Sequence, residues 1–303
     1  MPNTLAHIGI QSLASRGLLG RADIKWVWFA CVLPDLPWIG HRLAKLFAPT
    51  IPAIDLRLYA VVQSSLMFCL ILAAGLALVS RRPGRVFVVL AFGSLVHLLL
   101  DASQIKWGNG IVLFAPFDWR VVNFGFYWPE HLTSYLLTAF GFGYAMLVFL
   151  RNDASAWRMS RPGTGKSSAA LFCLILWGAA PLAFMSAAER ANVHDTQVLR
   201  QKEARIGREI AFDRTNVLPD HGQRREILPW SGERLTISGD IPTDAGKISL
   251  RGHFVAPDVI EVAAVHVHTS GPRDWFSYLG LAMILALWGH SWYRGRRSLS
   301  CAD

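Results

Sequence analysis

The sequence predicts a mainly α-helical protein that crosses a membrane several times and carries a small inserted α+β domain outside it. Hydrophobic residues make up 52% of the 303 residues, and charged residues make up only 17%. A soluble domain of this length usually carries about a quarter charged residues. The 12 Trp and 17 Phe residues also fit a chain whose aromatic rings anchor at a bilayer interface.

Five long apolar runs are the predicted membrane-spanning helices, because a helix needs about twenty mostly apolar residues to cross the hydrocarbon layer. These runs are residues 58–79, 86–100, 132–150, 169–187 and 275–292. Residues 26–38 are apolar too, but the segment is short and contains Pro34 and Pro37, which predicts a re-entrant or interfacial hairpin. Ahead of it, Asn3 is a suitable cap for a first helix that ends before Gly20.

Basic residues concentrate in alternate loops, and this sets the predicted orientation. The basic residues of these three loops are Arg81, Arg82 and Arg85, then Arg151, Arg158, Arg161 and Lys166, and finally Arg294, Arg296 and Arg297. Because cytoplasmic loops carry an excess of Lys and Arg, we expect a multi-pass protein of the inner (cytoplasmic) membrane with these loops inside. The net charge of +9 therefore predicts no nucleic-acid partner, since the basic residues form no single phosphate-binding face.

The predicted organisation has four parts. They are a membrane-embedded domain (residues 1–167), a transmembrane helix (168–187), an extracytoplasmic domain (188–274), and a last transmembrane helix with a basic cytoplasmic tail (275–303). The inserted domain begins with a polar, helix-like stretch over residues 189–210. Strand-like alternation follows at residues 235–238, 247–255 and 259–268. Membrane lipids then surround the helices, and the inserted domain is a candidate surface for a periplasmic protein partner.

Residues 162–167, Pro-Gly-Thr-Gly-Lys-Ser, resemble the end of a phosphate-binding loop. Such a loop needs a Gly five residues before Gly165, where this chain has Ser160. It also needs a buried strand before it and a soluble helix after it, whereas a basic loop precedes this segment and an apolar run follows. We therefore predict that the segment binds no nucleotide.

His97 and Asp101 form the strongest candidate site. Residues four apart share one face of a helix, so the imidazole and the carboxylate point the same way at the extracytoplasmic end of an apolar run. Ionisable groups are costly to bury in a membrane and mark functional sites there. Imidazole plus carboxylate is a normal zinc ligand pair. The alternative is a hydrogen-bonded pair at a helix end, without a metal.

Four further residues extend this pair towards a complete ligand set. His7 lies on the predicted first helix, Asp35 lies between the two prolines, and Glu130 and His131 open the third long run. A zinc centre takes three or four nitrogen and oxygen ligands from separate elements. Each residue also has a simpler explanation: His7 as an interfacial side chain, Asp35 as a turn former, and Glu130 as an acid at a helix N-terminus. Their joint occurrence favours the metal site.

The inserted domain contains His266 and His268 on one face of a predicted strand, with His253 on a neighbouring strand. Two interpretations stay open, a metal site and exposed histidines of a small β-unit, and the second is the simpler account. No arrangement of nucleophile and base accompanies these histidines in the sequence of that domain.

Several segments in the first half of the chain are similar to motifs of one family, the LexA-regulated, membrane-bound metal-dependent hydrolases. Residues 94–101 (Ser-Leu-Val-His-Leu-Leu-Leu-Asp), followed by residues 107–110 (Trp-Gly-Asn-Gly) and 113–117 (Leu-Phe-Ala-Pro-Phe), carry most of the resemblance. Residues 4–7 and 33–35 match the two earlier motifs of that family in the right order. The resemblance implies metal-dependent hydrolysis at the membrane, with ligands at His7, Asp35, His97 and Asp101.

One motif of that family, His-Arg-Gly-x-Thr-His before the first long span, has no counterpart in this sequence. The nearest stretch, residues 59–64, keeps neither histidine. Two explanations stay open. Either the ligand set is smaller, with His41 or His131 as a substitute, or catalysis has been lost.

The residues together lead us to expect a membrane-bound hydrolase of a lipid-like, phosphoester or acyl substrate, working at the extracytoplasmic face. A divalent metal, zinc by preference, would polarise the reacting oxygen and activate water, and Glu130 or an uncoordinated carboxylate would act as the base. The alternative is a catalytically inactive membrane protein whose periplasmic domain binds a partner. A transporter is a weaker third choice, since charged residues are absent from most mid-span positions.

Overall fold

The structure is a computed structural model that describes residues 2–20, 22–151, 162–219, 225–242, 245–269 and 271–300. These residues form a helical bundle and a small β-barrel. The α-helices are α1 (Thr4–Leu18), α2 (Ile24–Ala30), α3 (Leu36–Phe47), α4 (Ala53–Gln63), α5 (Leu66–Leu78), α6 (Pro83–Ala102), α7 (Leu132–Arg151), α8 (Thr164–Arg190), α9 (Thr196–Arg200) and α10 (Arg273–Ser300). The strands are β1 (Glu209–Val217), β2 (Arg225–Leu228), β3 (Leu235–Ser238), β4 (Lys247–Ala256) and β5 (Val259–Val267).

Three of these helices, α6, α7 and α8, are long and apolar enough to cross a membrane. They correspond to three of the five predicted spans. Helix α10 covers the fifth predicted span with 28 residues, but it is not among the helices that meet both criteria. Arg158 and Arg161 of the predicted basic loops lie outside the described residues.

The run over residues 58–79, predicted as one span, is two helices instead. Helices α4 and α5 meet at an angle of 66°, so they count as a single crossing only if a broken span is allowed. The break falls at Ser64 and Ser65, whose hydroxyl groups donate to the carbonyl oxygens of Val61 and Ala115. Serine side chains that bond to nearby backbone compete with the helix, and hydropathy alone does not reveal such a break.

The start of the chain also differs from the predicted hairpin over residues 26–38. Ser15 and Arg16 of α1 line the same cavity, of about 970 Å³, as Asp23, Lys25 and Arg81. Helix α1 therefore ends where α2 begins, at the basic end of α6. Residues 26–38 then lead one way, towards the opposite end of α6, and do not dip and return, because α1 supplies the other half of the hairpin.

Close backbone contact holds α1 against α7. A Cβ atom at Gly9 would lie 2.7 Å from the Cα atom of Gly141, and one at Gly141 would lie 1.8 Å from the carbonyl oxygen of Leu5. Only glycine fits at such a distance, so these two positions set the approach of the helices. The side chain of Asn3 caps α1 by accepting from the Ala6 amide, and its Nδ2 donates to Thr138 of α7.

The five strands form a closed barrel in the order β1-β2-β3-β5-β4. Strands β3 and β5 are parallel, and the other neighbours are antiparallel. The strands predicted at residues 235–238, 247–255 and 259–268 agree with β3, β4 and β5 to within a residue. The barrel closes around its own apolar core, which includes Ile210, Phe212, Leu235, Leu250 and Phe254.

The helix predicted over residues 189–210 is wrong for most of its length. Helix α8 ends at Arg190, a left-handed backbone follows at Asn192, His194 and Asp195, and α9 is only five residues long. The Asn192 side chain accepts hydrogen bonds from the first two amides after Thr196, which fixes this turn. The polar composition of the segment is typical of a surface helix, and it gave no indication of the turn or of the start of β1.

Polar and aromatic contacts join the barrel to the bundle. The guanidinium group of Arg57, on α4, lies over the rings of Trp38 and Trp230, at 5.6 and 4.2 Å from their centroids. Nearby, Asn109 Nδ2 donates to Asp213 Oδ2 at 3.3 Å. The barrel therefore rests on the segment that connects α6 to α7 and on α4, at the end of α6 that carries Asp101.

Candidate metal centre

His7, His97 and Asp101 meet inside the helical bundle. Residue His7 lies near the start of α1, and His97 and Asp101 lie near the end of α6. His7 Nε2 is 3.3 Å from Asp101 Oδ1, and His97 Nε2 is 3.6 Å from Asp101 Oδ2. Asp35 joins them through a distance of 3.6 Å between its Oδ1 and His97 Nε2. We call these four residues the bundle cluster.

The separations within the bundle cluster fit a shared cation better than direct hydrogen bonds. A charged N–H to carboxylate hydrogen bond is usually about 2.7–2.9 Å long, which is shorter than any of these distances. Ligands that bind zinc tetrahedrally with bonds of about 2.0–2.1 Å are themselves roughly 3.4 Å apart. The observed 3.3–3.6 Å between Nε2 and carboxylate oxygens agree with that spacing.

Burial makes the unpaired polar atoms of this cluster costly. The side chains of His7, His97 and Asp101 are at most 1% exposed. Their ring nitrogens and carboxylate oxygens have no hydrogen-bond partner among the described residues. Each buried polar group without a partner costs a few kcal/mol, and an isolated charge costs more. A bound cation would satisfy both Nε2 atoms and the Asp101 carboxylate at once.

Asp35 is the only partly exposed member of the bundle cluster. It ends a 3₁₀ turn, Leu33–Asp35, between α2 and α3, and Pro34 and Pro37 fix the backbone on either side. Its side chain is 28% exposed, whereas the other three side chains are almost fully buried. Asp35 is therefore the member of the bundle cluster that reaches the surface.

The structure does not bring the remaining predicted residues to this cluster. His131 is exposed, and its Nδ1 lies 2.9 Å from the Thr133 hydroxyl group. His41 packs against the ring of Trp38, on α3. Glu130, predicted as the catalytic base, contacts two histidines of the barrel instead. The predicted positions of Glu130 and His131 rested on their place in the chain, which does not show which way a loop turns.

Glu130, His266 and His268 form a second group, which we call the seam cluster because it lies between the bundle and the barrel. Glu130 Oε1 is 2.5 Å from His266 Nε2 and 3.2 Å from His268 Nδ1. The ring of His266 stacks on Trp128 with a centroid distance of 3.6 Å and an angle of 3° between the planes. Like the bundle cluster, this group has the residue types and spacing to hold a metal ion.

Opposing effects set the protonation of the seam cluster. Burial raises the pKa of the Glu130 carboxyl group, but the hydrogen bond from His266 and the nearby His268 outweigh it and lower that pKa below its usual value. Burial lowers the pKa of the His268 imidazole, and Glu130 opposes that shift without cancelling it.

Sequence reasoning missed the pairing of Glu130 with the barrel and two buried polar residues of the bundle. Gln11 and Ser94 are fully buried, and their side-chain polar atoms have no hydrogen-bond partner among the described residues. The spacing of four between His7 and Gln11 was a usable signal, because it places both side chains on one face of α1. No local feature of the sequence indicated that Glu130 would contact His266 and His268.

Comparison with known proteins identifies no relative. No protein-family model, no curated protein and no solved structure matches the chain.

Proposed function

We propose that this chain is a membrane-bound, metal-dependent hydrolase whose divalent metal is held by His7, His97 and Asp101 of the bundle cluster. The observation that carries the proposal is the set of unpaired nitrogen and oxygen atoms of His7, His97 and Asp101, almost fully buried and spaced as metal ligands are. Two imidazoles with one or two carboxylates are a common set for a catalytic zinc site, in which one position stays open for substrate or water.

The residues of the bundle cluster would have different roles in such a site. A bound divalent cation would supply Lewis acidity, polarising a phosphoryl or acyl oxygen and easing ionisation of a water molecule. His7, His97 and Asp101 are fixed by two packed helices and exclude bulk water from one side. Asp35 is the carboxylate with exposed surface, so it is the group placed to accept a proton on the substrate side, the role that the sequence suggested for Glu130.

The surroundings of Asp35 favour a lipid-like substrate. Helix α3 begins directly after it and exposes Leu43, Leu46 and Phe47, which are 50%, 74% and 83% exposed. An amphipathic helix with such a face lies in the plane of the membrane interface with its apolar side among the lipids. The entrance to the cluster is then at the level of the lipid headgroups, where a phosphoester or acyl ester bond of a lipid is found.

The proposed location is the inner membrane, with the cluster towards the extracytoplasmic face. Helices α6, α7 and α8 are suited to crossing a membrane. Arg81 and Arg82 precede α6, whereas Asp101 lies at its other end. Because basic loops favour the cytoplasmic side, the opposite end of α6 faces outward.

A catalytically inactive membrane protein with the same scaffold, whose periplasmic domain binds a partner, is the competing candidate, and the absence of a His-Arg-Gly-x-Thr-His motif favours it. Both candidates predict metal binding, so the deciding experiment combines metal analysis with an activity assay. We expect the purified chain to contain bound zinc and to hydrolyse a chromogenic phosphodiester or a short-chain acyl ester in mixed micelles.

Asp101→Asn should abolish both metal binding by the bundle cluster and turnover, because it removes the carboxylate that faces both imidazoles. His131→Ala is the matched control: it removes an exposed histidine that the sequence suggested as a ligand but that lies outside the cluster, and both properties should persist. Metal without turnover on either ester class would support the inactive scaffold, and absence of metal from the bundle cluster would refute the proposal.

A further inference from the structure

We infer that the seam cluster is a second divalent-cation site, which links the barrel to the bundle. The ligand atoms of Glu130, His266 and His268 all lie within 4.8 Å of one another. They come from two separate parts of the chain, the loop before α7 and the end of β5. His266 and His268 are two residues apart, so their side chains leave the strand on the same face, towards Glu130.

The hydrogen bonds behind His268 determine which of its ring nitrogens faces Glu130 as an acceptor. Ser249 Oγ lies 3.2 Å from Asp213 Oδ1 and 2.7 Å from His268 Nε2. An ionised carboxylate only accepts, so the single hydroxyl proton of Ser249 goes to Asp213. His268 Nε2 must then carry a proton and donate it to Ser249.

This assignment leaves an unusual contact on the other side of the ring. In the neutral imidazole, Nδ1 is then a bare acceptor, 3.2 Å from the Glu130 carboxylate, which is also an acceptor. Two acceptors in contact repel each other unless a cation lies between them. A proton would relieve the contact with His268 alone, whereas a metal ion would satisfy His266, His268 and Glu130 together.

The surroundings of the seam cluster resemble those of known metal sites. Histidine ligands usually donate the second ring N–H to an oxygen that is itself hydrogen bonded, which fixes the tautomer and the ring plane. Ser249 and Asp213 do this for His268, and Asn109 Nδ2 holds the second oxygen of Asp213 at 3.3 Å. Stacking on Trp128 fixes the ring plane of His266.

The ligand set favours zinc or a similar transition metal over calcium or magnesium. Two imidazole nitrogens and one carboxylate are typical of zinc, whereas calcium and magnesium prefer oxygen ligands alone. His266 and Glu130 are 27% and 20% exposed, which leaves a side open for a fourth ligand. Binding requires the 2.5 Å separation of Glu130 Oε1 and His266 Nε2 to widen to roughly 3.4 Å, the spacing of tetrahedral ligands.

The test is metal stoichiometry of the full chain in detergent. The protein is stripped with a chelator, titrated with Zn²⁺ and with Co²⁺, and the bound metal is counted. We expect two equivalents in the unchanged protein and one in Glu130→Gln, in His266→Gln and in Asp101→Asn. The visible spectrum of the Co²⁺-loaded protein should lose one absorption component in the seam variants and a different one in Asp101→Asn. Glu130→Gln keeps the size and a hydrogen-bonding group of the side chain, so the fold should persist.

His253→Gln is the matched control. His253 Nε2 lies 3.4 Å from Glu261 on the same barrel, but this pair is exposed and has no third ligand in the described part of the chain. Its removal should leave the count unchanged. A second readout is the unfolding temperature of the Asp101→Asn variant. Zn²⁺ should raise it, and the double variant with Glu130→Gln should show no rise.

The possible outcomes separate the two sites. If the chain binds one equivalent that Asp101→Asn removes and Glu130→Gln leaves in place, the seam cluster is only a hydrogen-bonded contact and the inference is wrong. If the single equivalent depends on Glu130 and not on Asp101, the seam site stands and the metal of the proposed hydrolase does not.

Discussion

The imidazole rings of His7 and His97 stack with their centroids 3.9 Å apart and their planes inclined by 14°. The stack places both Nε2 atoms against one carboxylate, with His7 facing Oδ1 and His97 facing Oδ2 of Asp101. Asp101 is therefore the central group of the bundle cluster. This arrangement depends on the approach of α1 to α6, so it links the packing of the bundle directly to its chemistry.

Metal removal is expected to destabilise the bundle because it removes the cation that would join the buried Asp101 carboxylate to the His7 and His97 imidazoles. Breaking a buried ionic arrangement by removing one partner typically costs about 3–5 kcal/mol. Glu130→Gln removes the carboxylate of the seam cluster, so that this cluster no longer binds metal. In this variant, a chelator should lower the unfolding temperature measured in detergent. Asp101→Asn in the same background should show no response to chelator. An equal response of both proteins would exclude the bundle cluster as the source.

The central features of the bundle cluster followed from local patterns in the sequence. A spacing of four on an apolar run placed His97 and Asp101 together, and the cost of burying ionisable groups led to His7 and Asp35. Strands β3 to β5 also followed from alternation between apolar and polar residues. In each case the information lies within one or two turns of a single element.

Features that depend on distant contacts were not predictable in this way. Glu130 was assigned to the bundle cluster because it precedes α7, yet its partners are His266 and His268 on a barrel strand. The bend between α4 and α5 depends on a hydrogen bond from Ser65 to Ala115 in a distant loop. A hydropathy pattern indicates which residues avoid water, but it does not indicate which distant residues form hydrogen bonds or ion pairs with one another.

Gly141→Ala is expected to disturb the bundle cluster through packing. The added methyl group would lie 1.8 Å from the carbonyl oxygen of Leu5, so α1 must move away from α7 and carry His7 with it. Overpacking of this kind typically costs about 1–3 kcal/mol. Gly143→Ala, on the same helix with open space around it, is the control. Unfolding temperature and zinc content should both fall in the first variant and stay unchanged in the second.

Gly108→Ala is expected to loosen the barrel from the bundle. Its Cβ atom would lie 1.9 Å from the carbonyl oxygen of Ala211 on β1. Gly125→Ala is a suitable control, because both glycines have positive φ angles of 62° and 63° and share the same backbone strain, yet Gly125 has no such neighbour. Limited proteolysis should cleave the first variant faster between bundle and barrel. Equal cleavage of both would mean that strain, and not the contact with Ala211, is responsible.

The proposed orientation predicts which introduced cysteines react from outside the cell. Arg82 and Asp240 are both exposed, the first before α6 and the second on the barrel. With the native cysteines replaced, a membrane-impermeant maleimide should label Asp240→Cys in intact cells and Arg82→Cys only after the inner membrane is opened. Labelling of Arg82→Cys alone in intact cells would reverse the orientation, and it would place the bundle cluster towards the cytoplasm.

The barrel is expected to lose stability in acid through the ion pair between the buried Arg205 and the partly exposed Glu233. Arg205 is fully buried and donates from Nη2 to Glu233 Oε2 at 2.7 Å, while Lys202 approaches the other oxygen at 2.8 Å. Burial raises the pKa of the Glu233 carboxyl group, but these two cations outweigh it and hold the pKa below its usual value. A lowered pKa in the folded state stabilises the fold above the unfolded pKa of about 4.3, and this stabilisation is lost as the pH falls through the folded pKa.

Glu233→Gln should therefore destabilise the barrel by about 1 kcal/mol at neutral pH, because the carboxylate is partly exposed and water screens its ion pairs, and the difference from the unchanged protein should shrink in acid. Amide hydrogen exchange of the strands, compared between variant and unchanged protein at the same pH, measures both effects. Glu226→Gln removes an exposed partner of Arg234 at 3.9 Å on the same barrel and should change stability by less than about 0.5 kcal/mol. A Glu233→Gln effect that stays constant from neutral to acid pH would show that the carboxylate charge is not its cause.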